Sequence, residues 1–106
     1  MFENYNVKVS EKYLFLFDKR FDYSIQEELM TNINHRFDKL SQVIQLDCIK
    51  WKKPYYIFDL IFDNETISGR AYDGIIKCRI PNGYTKDMPM IHEEAHMITF
   101  YKWGKL

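Results

Sequence analysis

The stretch SIQEELMTNINHRFDKLSQVIQ, residues 24–45, decides how this chain is read. Plotted at 100° per residue, Ile25, Leu29, Met30, Ile33, Phe37, Leu40, Val43 and Ile44 fall within one arc of about 140°, the signature of an amphipathic helix. Only Gln26 and Arg36 intrude on that arc. Ser24-Ile25-Gln26-Glu27 reads as a capping box, in which the serine hydroxyl and the glutamate satisfy reciprocal backbone donors. A helix of this length is about 33 Å long at 1.5 Å per residue. It has one apolar face, and that face needs a sheet to cover.

Strand signals lie on both sides of it. Tyr5-Asn6-Val7-Lys8-Val9 and Lys12 to Phe17 read as a hairpin closed at Ser10-Glu11. After the helix come Leu46 to Trp51, Tyr55 to Phe62, Thr66 to Tyr72 and Ile75 to Ile80. The last two flank Asp73-Gly74, the strongest short hairpin signal in the chain. Met88 to Trp103 shows no helical stripe, and Ile98-Thr99-Phe100-Tyr101 is β-branched and aromatic. It reads as an irregular piece near residues 90–95 followed by a strand from His96 to Trp103, with a helix as the open alternative. The expected fold is a single α+β domain, with one long amphipathic helix on a mostly antiparallel sheet of about five to seven strands.

Composition narrows the classes of function. The chain has 106 residues, of which 46% are apolar, enough for one core without staples. Its 15 basic and 15 acidic side chains cancel. Phosphate neutralisation and attraction to anionic lipid both need excess cations, so nucleic acid is a weaker expectation and membrane is not expected. No apolar run reaches the length of a membrane span. The opening Met1-Phe2-Glu3-Asn4-Tyr5 lacks a basic region followed by an apolar one, which points to the cytoplasm. Cys48 and Cys78 are too few for a disulfide framework, and whether they pair stays open. Heavy use of Phe, Tyr, Ile, Lys and Asn resembles AT-rich coding and suggests a phage or mobile element as the source.

His92-Glu93-Glu94-Ala95-His96 spells H-E-x-x-H. On a helix that spacing turns two imidazoles to one side, where they can share zinc while the glutamate activates a bound water. Here the segment lacks helical periodicity, and Glu94 puts a charge where such helices keep a core residue. His35, the remaining histidine, falls on the polar side of the first helix. A zinc-dependent hydrolase or metal-binding protein, with Glu93 as base, is therefore the alternative reading, and no cofactor is the leading one. The carboxylates Asp59, Asp63, Glu65 and Asp73 read as edge and turn residues.

Two further features carry the leading reading. Trp51-Lys52-Lys53-Pro54-Tyr55-Tyr56 interleaves aromatics with cations, which suits protein anchoring and, as a further alternative, base stacking on nucleic acid. The strands around Tyr13–Phe17 and Tyr55–Phe62 are apolar on both faces, yet one helix covers one face of a sheet. The sheet must curl on itself or be closed by the last segment, by a second copy or by a partner. The expectation is a small non-enzymatic inhibitor or accessory protein. It would bind another protein, such as a host or defence protein, by steric occlusion. Trp51, Tyr55 and Tyr56 are the expected anchors and Lys52 and Lys53 the rim.

Overall fold

A computed structural model describes residues 3–44, 51–62, 65–84 and 90–103. Seven elements follow one another: β1 (Tyr5–Val9), β2 (Leu14–Asp18), α1 (Tyr23–Ile44), β3 (Tyr55–Leu60), β4 (Ser68–Tyr72), β5 (Ile75–Ile80) and α2 (Met90–Trp103). The fold is α+β, with a five-stranded sheet in the order β1-β2-β3-β5-β4. Antiparallel pairs bound it on both sides, β1 with β2 and β4 with β5, while β2, β3 and β5 run parallel. α1 supplies the long crossover that parallel neighbours require between β2 and β3. β4 skips one position to the edge, and β5 returns into the gap. The return is the Asp73-Gly74 turn, whose φ values of +35° and +77° are those of a type I′ hairpin.

α1 starts one residue before Ser24, and the capping differs from the box read in the sequence. The backbone N–H groups of Ile25 and Gln26 donate to the Asp22 carbonyl, so Asp22 caps the helix. Glu27 instead pairs with Lys8 of β1 at 3.1 Å. Leu29, Ile33 and Phe37 are fully buried as the arc requires. Val43, on the same arc, is 80% exposed. The helix overhangs strands of five and six residues, which span only about 17–20 Å.

The two polar residues on the arc are both satisfied. Buried Gln26 donates from Nε2 to the Phe21 carbonyl at 3.0 Å. Arg36 reaches across to α2 and holds the Glu94 carboxylate bidentately, at 2.9 Å from Nε and 2.7 Å from Nη2. Glu94 has no solvent exposure, and it also accepts the Tyr56 hydroxyl at 2.6 Å.

Residues 90–103 are therefore a helix, where an irregular piece and a strand were expected. α2 contacts α1, β4 and β5 together, so core contacts come from several sides of it. A helix wedged in this way needs no single apolar stripe. Met90, Met97 and Ile98 enter the same core as Phe15, Phe17, Tyr56, Phe58, Ile76 and Cys78. Both helices thus lie on the one sheet face that carries Tyr56. Cys78 is a free buried thiol, while Cys48 and the strand expected over 46–50 lie outside the described residues. No described helix is long and apolar enough to cross a membrane.

Several acids of this core resist ionisation. Burial pushes the Cys78 thiol up to about 12, with the nearby Glu94 carboxylate adding to it. Burial and Glu94 hold the Tyr13 and Tyr56 phenols well above their usual range in the same way. Burial and a hydrogen bond to Asp59 raise Tyr5 to about 12. Unfolded, a thiol ionises at 9.0 and a phenol at 10.0. Above pH 9 the unfolded chain therefore binds fewer protons than the folded one, and stability falls as pH rises toward 12. Alkaline titration should show the last part of the phenolate absorbance, that of buried Tyr13 and Tyr56, rising together with loss of far-ultraviolet dichroism. Complete phenolate formation near pH 10 in an intact fold would contradict the burial.

Candidate functional site

Strand parity sends every second side chain away from the helices. The register builds rows across this second face. Val9, Leu14, Tyr55, Ile75 and Tyr72 stand side by side over all five strands, and all are apolar or aromatic. The next row is Val7, Leu16, Ile57, Lys77 and Arg70. Beyond it Tyr5 lies beside Asp18, and Asp59 beside Arg79. The face therefore grades from an apolar end to a charged end.

Among the described residues no helix or strand covers this face. Val9 is 70% exposed, Val7 47%, Tyr55 39% and Tyr72 37%. Leu16 is shielded from water all the same. At the charged end the Tyr5 hydroxyl donates to Asp59, which also pairs with Lys77 at 3.3 Å. Arg79 pairs with Glu65 at 3.0 Å. Arg70, Tyr72, Lys77 and Arg79 line a shallow groove of about 420 Å³ beside the β4 edge.

The residues expected to bind a partner separate in the structure. Tyr55 sits in the middle of the apolar row, with exposed Lys52 and Lys53 just before it. Lys53 has φ of +48°, a left-handed conformation costly for a residue with a Cβ. It leads into buried Pro54 and sets the chain into β3. Neither lysine is ion-paired among the described residues. Tyr56 points the other way and has no exposure, its hydroxyl spent on Glu94. Trp51 is half-buried, edge-on to Tyr13 and Phe37, with its indole N–H donating to the Lys12 carbonyl at 2.6 Å. Tyr56 is a core residue and offers no surface to a protein or to stacked bases, while Trp51 packs against the core and stays partly accessible. Alternation puts adjacent Tyr55 and Tyr56 on opposite faces, so a contiguous Trp51–Tyr56 patch does not form.

The H-E-x-x-H segment lies on α2. Glu93 and Glu94 turn inward and are buried, while His92 is exposed and His96 half-exposed. The two Nε2 atoms approach to 2.8 Å with the rings at 88°. Among the described residues no set of three His, Cys, Asp or Glu side chains converges on one point. His35 is exposed on α1, Asp59 serves Tyr5 and Lys77, Glu65 serves Arg79, Asp73 forms the hairpin turn, and Asp63 lies outside the described residues. Comparison of the chain with protein-family models, curated proteins and solved structures gives no match.

The structure adds Val9, Leu14, Tyr72 and Ile75 to Tyr55 as candidate binding residues. The sequence carried a signal for Leu14, which lies in a strand apolar on both sides. The neighbours of Tyr55 depend on strand order, which that pattern does not encode.

Proposed function

We propose that this protein is a non-enzymatic binding protein whose working surface is the sheet face that no described helix or strand covers, and that it acts by covering a surface of another protein. The observation that carries this reading is the apolar row of Val9, Leu14, Tyr55, Ile75 and Tyr72. Contiguous apolar surface in water costs free energy, and interfaces recover it. Tyrosine at the centre of such a patch is a typical anchor, since it buries a large ring and keeps a polar tip. Unpaired Lys52 and Lys53 at the apolar end favour a partner whose apolar ridge is bordered by carboxylates.

Charge supports a protein over nucleic acid. Lys77 and Arg79 at the other end are already matched by Asp59 and Glu65, and the whole chain is neutral. Binding to a polyanion gains from counterion release only where cations are in excess.

A photo-reactive residue placed at Tyr55, compared with one at exposed Glu28 on α1, tests the reading. We expect a cross-linked protein product at Tyr55 and little at Glu28, and its mass identifies the partner or a second copy. Equal labelling at the two positions, or none at Tyr55, would overturn it.

A further inference from the structure

We propose that His92 and His96 form a two-imidazole site for a late first-row divalent cation, Ni²⁺ and Cu²⁺ foremost. This site lies on α2 and is independent of the binding face on the sheet. The inference rests on three features of the helix. Residues four apart share one side of it, so both rings are held by backbone geometry rather than by a loop. Their Nε2 atoms lie 2.8 Å apart, a hydrogen bond in which one ring N–H donates to the other ring, and a cation would take the place of that shared proton. Two metal–nitrogen bonds of about 2.0–2.1 Å that span this gap meet at about 90°. That is the angle between neighbouring positions in square-planar and octahedral coordination, the geometries of Cu²⁺ and Ni²⁺.

The neighbouring carboxylates shape what the site does. Glu93 and Glu94 are buried, and Glu94 is held by Arg36 and Tyr56. Glu93, the base that a hydrolase would place beside the metal, faces the protein interior. With no set of three ligating side chains converging among the described residues, the other coordination positions fall to water.

The test is calorimetric titration of the untagged chain with Ni²⁺, alongside His92→Ala, His96→Ala and, as a control, His35→Ala. Circular dichroism checks the fold of each. We expect one Ni²⁺ per chain, weakened at least tenfold in each α2 variant and unchanged in His35→Ala. Copper spectroscopy gives a second readout, with two imidazole nitrogens on Cu²⁺ in the parent chain and one in either α2 variant. No binding up to about 1 mM Ni²⁺, a range in which chelation is easily detected, would overturn the proposal. So would His96→Ala that binds like the parent, or equal loss in His35→Ala.

Discussion

Arg36→Ala is expected to cost about 3–5 kcal/mol of folding stability, as removing one partner of a buried ion pair does. The Arg36 side chain is 12% exposed and Glu94 is wholly buried. Losing the guanidinium would strand a carboxylate between α1, α2 and the sheet. The pair itself contributes much less than this, because burying both charges has already cost most of what their attraction returns. Replacing Arg36 by Met, Glu94 by Leu and Tyr56 by Phe together removes the three polar groups that hydrogen-bond one another here, the guanidinium, the carboxylate and the phenol. That variant should return to within about 1–2 kcal/mol of the parent. Urea unfolding of the single and triple variants measures both quantities. A loss below about 1 kcal/mol for Arg36→Ala would mean the pair behaves like one on the surface, contrary to the geometry.

Phe58→Ala should be comparably damaging, at about 3–5 kcal/mol. Phe58 is fully buried on β3, stacked on Phe17 at 4.9 Å and on Tyr56 at 4.8 Å between ring centroids. Truncation would leave a cavity under both helices that stacked rings on a sheet cannot collapse to fill. Tyr55→Ala, three positions earlier and on the other face, should cost less than about 1 kcal/mol. Thermal and denaturant unfolding of the two variants reads strand parity directly. Similar losses at both positions would place Tyr55 in a packed environment and remove the exposed row.

Much of this fold was legible because its periodicities are strong. The arc from Ile25 to Phe37 announced a helix and named its buried side, and Asp73-Gly74 announced its hairpin. Gln26 and Arg36 broke the arc, and both mark buried polar contacts. Arg36 in the arc and Glu94 in an apolar segment were one signal seen twice, since each charge needed the other. α2 stayed only an alternative to a strand because periodicity reports a single contact side. A helix packed against α1, β4 and β5 at once loses its stripe, and its β-branched and aromatic residues then resemble a strand. The apolar second faces of β2 and β3 were visible in the sequence. The row was not, because the insertion of β5 between β3 and β4 brings Ile75 and Tyr72 beside Tyr55. The pairing of His92 with His96 likewise depended on α2 being helical.

The claim that the sheet face opposite the helices is the working surface is tested most directly by the double variant Tyr55→Asp with Ile75→Lys. Its affinity is measured for the protein captured at position 55. Tyr55 is exposed, Ile75 is half-buried, and the two are adjacent across β3 and β5, so charges there should leave the helical and sheet dichroism unchanged. The account predicts at least a 100-fold weaker complex, about 2.7 kcal/mol, the loss expected when central anchors are replaced. An intact fold that binds its partner as tightly as the parent chain would contradict it.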